Sequence, residues 1–304
     1  MAKKLFLLIF SATISFLVQA SEPVAFHAHA DTPIPPLRHS ADAASGVGKT
    51  AARRETAYQS IKPRRLLGWT SPEGRVRLLR SWHAADFGPL ANQFEPQKND
   101  ILCGPTSSVI VLNALRGREN NEQVPTDPST IPEQASQYLP KGFDPRYKRY
   151  TQNTFFNEAT DRVKTLIQVY GEPMPATGVA DYGLQLRQLH DMLLAHGLEV
   201  TMRVVDGSVS RRAMREEIRR NLGKPGDYVI INFSRKVLSQ PGGGHFSPLA
   251  AYDLSSDSFL VMDTVPLTSD WFWVDAELLF DAMETFDTVE NRGYLLISEG
   301  VRVQ

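Results

Sequence analysis

Hydrophobic residues recur along this chain with two periods, a helical one in the first part and an alternating one in the second. Cys103 to Leu115 predicts a helix: Pro105 suits a first turn, and Val109, Ile110, Val111 and Leu112 give a heavily apolar body. Thr154 to Tyr170 predicts another, ended by Gly171 and Pro173. From Leu184 to His196, Leu186, Leu189, Leu193 and Leu194 fall on one side of an amphipathic helix, with Gly197 at its C-cap. Glu199 to Val205 then predicts a strand and Arg211 to Leu222 a basic helix.

Further on the pattern becomes that of strands. Tyr228 to Phe233 is a β-branched run, and His245 to Tyr252 and Phe259 to Asp263 flank a turn at Leu254–Ser258. Val274-Asp275 caps a short helix reaching Met283, and Tyr294 to Ser298 is a last strand. A helical half followed by an antiparallel half predicts an α+β fold.

The pattern fades within the helical half and ahead of it. Residues 118–150 are polar and proline-rich, which predicts a long surface excursion. Residues 21–60 are rich in Ala, Pro, Ser and His without apolar periodicity, and predict a disordered linker ahead of a folded domain over 61–304. Residues 1–20 begin with Lys3 and Lys4, continue through an apolar run from Leu5, and close on Val18-Gln19-Ala20. The run is short for a membrane span, which needs about 20 apolar residues. The segment therefore predicts a signal peptide cleaved after Ala20 and a periplasmic or secreted product.

Composition narrows the partners. Hydrophobic residues make up 42% and the formal net charge is -1. Signal cleavage would leave 31 basic against 34 acidic residues. No basic field draws in nucleic acid or anionic membrane. Two local patterns in the linker are rejected. Gly46-Val47-Gly48-Lys49-Thr50 looks like the end of a phosphate-binding loop, but Ala43 stands where its first glycine belongs and no strand precedes it. His27, His29 and Asp31 lie in a segment predicted to be solvated rather than to hold a metal.

Cys103 is the one cysteine, so no intramolecular disulfide forms. At the start of its helix, unpaired N–H groups and the helix dipole favour a thiolate. His245 follows Gly242-Gly243-Gly244, which lets another chain come close. A hairpin turning about Ser255–Ser256 puts His245 opposite position 266, so Asp263 shares the same open end. Gln97 lies shortly before Cys103, and its amide with the Cys103 N–H could form an oxyanion hole. The reading is a thiol acyl-transfer site with Cys103 as nucleophile, His245 as base, Asp263 as orienting carboxylate and Gln97 as donor. Each residue also has an ordinary structural role available to it. The other histidines beyond the linker, His83, His190 and His196, lack neighbouring glycines and a carboxylate at hairpin spacing.

The order Gln93-Phe94-Glu95-Pro96-Gln97, Cys103-Gly104 and Val111-Leu112-Asn113-Ala114-Leu115 resembles the nucleophile region of phytochelatin synthases. Ile231-Asn232-Phe233-Ser234-Arg235-Lys236-Val237-Leu238 and Gly244-His245-Phe246-Ser247-Pro248 resemble that family's histidine segment almost residue for residue. Tyr150-Thr151-Gln152-Asn153-Thr154-Phe155-Phe156 and Arg292-Gly293-Tyr294 match its style, so the resemblance runs over roughly residues 90–298.

The resemblance implies a papain-like fold in which a helical half carrying Cys103 packs on a sheet carrying His245 and Asp263. It implies glutathione as substrate, cleaved at its Cys–Gly bond through a γ-glutamylcysteinyl thioester. Asn232, Arg235, Gly244 and Arg292 become acyl-group contacts, arginine suiting an α-carboxylate through its bidentate fork. No cofactor or bound metal is implied for hydrolysis, and a heavy-metal ion such as cadmium enters as a metal–thiolate substrate of transfer. A homodimer is compatible with the sequence.

The sequence departs from the family in two ways. No cysteine-rich extension follows the matched region, and Pro266 and Thr268 stand where members usually carry Arg and Lys. The expectation is therefore hydrolysis to γ-glutamylcysteine and glycine over polymer synthesis. Two rivals remain open: a cysteine peptidase trimming leader peptides after glycine, and a papain-like binding module without catalysis.

Overall fold

The computed structural model describes residues 66–117, 123–175, 178–266 and 270–300. The expected signal peptide, the expected linker and Thr268 lie outside these residues.

The described chain opens with strand β1 (Leu67–Gly68) and helix α1 (Pro72–Arg80), which starts on a proline behind the N-cap Ser71. Ser71 Oγ accepts from Gly74 N at 3.0 Å. Helix α2 (Phe87–Gln93) follows. None of these three is predicted by periodicity, because each is too short to show one clearly. Helix α3 (Cys103–Arg116) matches its predicted span and is buried continuously from Cys103 to Asn113. That all-round burial explains its unbroken apolar run and low amphipathicity.

Among its described residues, the excursion after α3 holds a single-turn helix α4 (Glu133–Ser136) and a 3₁₀ turn at Pro128–Thr130 as its helical elements. The helix predicted over Thr154–Tyr170 does not form. A 3₁₀ turn at Thr160–Arg162 and the short α5 (Leu166–Val169) replace it. Short polar side chains capture the backbone there: Asn157 Oδ1 accepts from Ala159 N at 2.9 Å and Thr160 N at 3.2 Å. Thr165 and Gln168 then close a capping box that begins α5 anew.

The remaining elements follow the predicted order, except for an added strand over Phe272–Asp275 that the pattern does not predict. Helix α6 (Leu186–Ala195) leads into β2 (Leu198–Val204), α7 (Arg211–Leu222), β3 (Asp227–Ser234) and β4 (Gly244–Asp253). Then come β5 (Ser258–Val261), β6 (Phe272–Asp275), α8 (Ala276–Met283) and β7 (Gly293–Glu299). Asp275 caps α8 as expected, its Oδ1 accepting from Leu278 N at 3.1 Å. The strands form one seven-stranded antiparallel sheet in the order β1-β6-β5-β4-β3-β7-β2.

Helices cover both faces of the sheet. In β3, Tyr228 and Ile230 join the cluster built with α3 and α6, while Val229, Ile231 and Phe233 join the one built with α7 and α8. A central strand buried on both sides reads as a continuous apolar run, as β3 does. By the same alternation Asn232 takes a position on the α3 side, where the core would otherwise place an apolar side chain. The mixed helix and antiparallel sheet arrangement agrees with the expected α+β class.

Candidate active site

Cys103 is the first residue of α3, behind Leu102, whose side chain makes no cap hydrogen bond. The first-turn N–H groups therefore remain open around the sulfur. Gly104 is needed beside it: a Cβ there would meet Leu184 Cδ1 at 3.3 Å and the Phe246 ring at 3.5 Å. The α3 N-terminus thus presses against the start of β4, where His245 lies across the ladder from Phe233. The two rings stand edge to face with centroids 5.5 Å apart.

The expected hairpin register holds near the turn, where Asp253 pairs with Ser258 and Ala251 with Leu260. A bulge between Leu249 and Ala251 then shifts the pairing by one residue, so Leu249 faces Val261. Asp263 lies just past the end of β5, and its Oδ1 sits 2.9 Å from His245 Nε2. The same oxygen accepts from Val265 N at 3.1 Å. Asp263 Oδ2 accepts from Arg235 Nη1 at 2.8 Å. His245 is 3% and Asp263 2% exposed, so the carboxylate is shielded from water and held on both oxygens.

With Nε2 held by the carboxylate, Nδ1 is the ring nitrogen left for other partners. Burial alone pushes the Cys103 thiol up. The hydrogen bond and charge of His245, with the N–H groups of Phe246 and Gly104, outweigh it and hold the thiol below its ordinary value. Burial likewise disfavours a charged His245, but Asp263 and the Cys103 sulfur reverse this and raise it to about 9. The electrostatics therefore favour a thiolate beside an imidazolium.

Gln97 is buried against Thr264, the residue after Asp263. Its Oε1 accepts from Thr264 Oγ1 at 2.8 Å and its Nε2 donates to Asn99 O at 2.8 Å. Gly244 borders two hollows. One, of about 170 Å³, is lined by Cys103, Asn232, Leu184, Phe246, Tyr182 and Asp287 among others. The other, of about 460 Å³, is lined by Gln97, Lys98, Arg235, His245, Val265 and Pro266 among others.

The residues expected as acyl contacts separate into two groups. Asn232 is 1% exposed and both of its amide atoms lack a hydrogen-bond partner. Arg292 touches Gly244, where a Cβ would stand 2.9 Å from Arg292 Nη2. Its Nη1 donates to Phe286 O at 2.8 Å, its Nη2 to Asp287 Oδ1 at 2.8 Å, and its buried Nε has no partner. Unpaired buried polar atoms are costly, and Asn232 and the Arg292 Nε both leave hydrogen-bonding capacity unused near Gly244. Arg235 differs from expectation. It is 4% exposed, and besides Asp263 it donates through Nε to Pro241 O at 2.8 Å. Its guanidinium is spent on the carboxylate that orients His245 rather than displayed in the hollow with Cys103.

Sequence reasoning missed the residues that shape these walls. Lys164 is wholly buried, and its Nζ donates to Asp181 O at 2.6 Å, Asp181 Oδ2 at 2.9 Å and Gly183 O at 2.9 Å. It thereby fixes the turn carrying Tyr182 and Leu184. No local pattern betrays this, since Lys164 lies in a stretch that reads as helix. Among the described residues, no group of three or more His, Cys, Asp and Glu is gathered as a metal ion would require. Nor is any helix among them long and apolar enough to cross a membrane.

A sequence profile of the phytochelatin synthase family matches residues 57–294. The glutathione γ-glutamylcysteinyltransferase of Schizosaccharomyces pombe is 24% identical over 249 residues, covering 80% of this chain and 51% of that protein. Glutathione γ-glutamylcysteinyltransferase 2 of Arabidopsis thaliana is 40% identical over 73 residues, 23% of this chain and 16% of the plant protein. Glutathione γ-glutamylcysteinyltransferase 3 of Lotus japonicus is 39% identical over 74 residues, 24% of this chain and 15% of that protein. The chain thus matches about half the length of the yeast relative and less of the plant ones.

Proposed function

This chain belongs to the phytochelatin synthase family, and on that premise we propose that it cleaves the Cys–Gly bond of glutathione through a γ-glutamylcysteinyl thioester on Cys103. The observation that carries the reading is the continuous line of contacts from the Cys103 sulfur through His245 and Asp263 to Arg235. Placed at the head of a helix packed on the sheet that bears His245, this line supports a papain-like arrangement.

The Cys103 thiolate attacks the cysteinyl carbonyl carbon, forming a C–S bond, and the carbonyl electrons move onto oxygen. The Cys103 N–H and the second N–H of Gln97 Nε2, beyond the one given to Asn99, stabilise that oxyanion. On collapse the C–N bond breaks and His245 delivers its proton to the glycine nitrogen, so glycine leaves as the amine. Because His245 lines the larger hollow, the leaving group departs on that side. Water then enters by the same route, loses a proton to neutral His245 and attacks the thioester. The C–S bond breaks, and γ-glutamylcysteine and the thiolate–imidazolium pair are regenerated.

The γ-glutamyl group fits the smaller hollow. Asn232 offers an unpaired amide there, and Arg292 with Asp287 offers charges of both signs for its α-carboxylate and α-ammonium. Hydrolysis prevails over transfer because transfer needs a site that raises the local concentration of an acceptor thiol. Pro266 brings no cation to the larger hollow. Any cadmium or similar ion acts as part of a metal–thiolate acceptor. Export follows from residues 1–20, and N-terminal sequencing of extracytoplasmic protein should begin at Ser21.

The central experiment is mass spectrometry of products formed from glutathione by the protein and by Cys103→Ala, with and without cadmium. Glycine release that requires Cys103 supports the reading. Glycine release undiminished in Cys103→Ala, or none from either protein, overturns it.

A further inference from the structure

Gln97 is held to the residue after Asp263 at two points. Its backbone N–H donates to Thr264 O at 2.9 Å, and its side-chain Oε1 accepts from Thr264 Oγ1 at 2.8 Å. Gln152 supports the same segment, its Oε1 accepting from Lys98 N at 2.8 Å and its Nε2 donating to Pro96 O at 3.0 Å. Thr264 is wholly buried and Gln97 4% exposed, so water does not substitute for either group.

The amide end of Gln97 has only one consistent orientation. Asn99 O is a carbonyl and accepts only, so the atom 2.8 Å from it is the amide nitrogen. The oxygen then faces the Thr264 hydroxyl, which supplies the donor it needs. With one N–H fixed on Asn99 and the oxygen fixed on Thr264, the plane of the amide is set and its second N–H has a defined direction. An oxyanion donor acts only when aimed before the charge develops.

The geometry points to Thr264 as a positioning residue for acyl transfer, its hydroxyl aiming the Gln97 amide at the oxyanion formed at Cys103. This rests on the proposed role of Cys103 as nucleophile but not on glutathione as substrate. Because Thr264 directly follows Asp263, the carboxylate that orients His245 and the hydroxyl that orients Gln97 share one backbone segment. A displacement of that segment would disturb base and oxyanion donor together.

The test compares two reagents that modify Cys103. p-Nitrophenyl acetate acylates the thiolate through an oxyanion and releases p-nitrophenol. Iodoacetamide alkylates it by displacing iodide from a saturated carbon and forms no oxyanion. Thr264→Val should slow p-nitrophenol release about tenfold, in line with losses from misaligned donors, while leaving alkylation within about twofold of the unmodified protein. Thr264→Ser should restore most of the rate. Gln97→Ala should show the same selective loss, and Thr264→Val added to Gln97→Ala should cost nothing further, since the group it aims is gone. With glutathione, kcat should fall while KM is held. Thr264→Ala replaces the valine variant if the latter does not fold. An unchanged ester rate in Thr264→Val, an equal loss of alkylation, or the full loss repeated in the Gln97→Ala background would overturn the proposal. If the unmodified protein leaves glutathione intact, the proposed function fails while the ester arm still reads the Thr264–Gln97 contact.

Discussion

Arg235 binds Asp263 rather than solvent: Nη1 lies 2.8 Å from Oδ2, while His245 Nε2 lies 2.9 Å from Oδ1 of the same carboxylate. The carboxylate is therefore held in one plane by a guanidinium on one oxygen and an imidazole on the other. On the proposed function, Arg235 acts on the reaction through Asp263.

Replacing Arg235 should accordingly impair chemistry for every substrate. Arg235→Ala leaves a buried carboxylate with one charged partner fewer, at a cost of about 1.5–3 kcal/mol in stability. The kcat for glutathione should fall more than tenfold, and Arg235→Lys should recover part of it. Denaturant melts and steady-state kinetics read both. A rise in KM with kcat and stability intact would show that Arg235 contacts substrate instead. Because it supports the base, loss of activity in Arg235→Ala does not by itself separate a glutathione enzyme from a peptidase.

The ionisation of the site sets a pH profile. The reactive form needs Cys103 deprotonated and His245 protonated. The kcat/KM should therefore rise through the depressed Cys103 value and fall as His245 deprotonates near 9. Asp263→Asn removes a main support of the imidazolium, so the falling limb should move to lower pH. The same shift has a stability sign. His245 is raised from 6.5 to about 9, so its contribution is fully present below pH 6.5 and lost as pH rises through about 9. A pH–rate profile with no falling limb, or one unmoved in Asp263→Asn, would contradict this ion pair.

Asn232 offers a test in which stability and activity move in opposite directions. Its amide is buried on the α3 side of β3 with neither atom hydrogen-bonded. Asn232→Leu should hold or raise stability by about 1 kcal/mol, because an uncompensated polar group is removed from the core. Use of glutathione should weaken about tenfold or more, chiefly in KM. Thermal melts alongside kinetics settle it, and a marked loss of stability would mean the amide has a structural partner.

The fate of the thioester depends on the acceptor side. γ-Glutamylcysteine and glycine should be the main products, with little polymer even at high glutathione and cadmium. Pro266→Arg places a cation in the lining of the hollow that holds His245, and combined with Thr268→Lys it should raise the transfer fraction. Mass spectrometry of the polymer series reads it. Abundant polymer from the unmodified chain would show that those cations are dispensable.

The sequence by itself determined the order of the elements and the local positions from which Cys103, His245 and Asp263 converge. Cys103 at a helix start, His245 behind three glycines and Asp263 at the same hairpin end follow from periodicity and turn position, which are local properties. The Arg211–Leu222 helix and the β3–β4–β5 order were legible for the same reason. Residues 154–170 depart from the predicted helix because their apolar spacing looks helical while Asn157, Thr160 and Thr165 capture the backbone. Only the tertiary structure decided what the partners do. The bulge at Leu249–Ala251 shifts the hairpin by one residue, Arg235 turns onto Asp263, and Thr264 reaches Gln97 across 167 positions of chain. Such contacts depend on how distant segments pack, and no spacing along the chain encodes which donor a buried carboxylate or amide will meet.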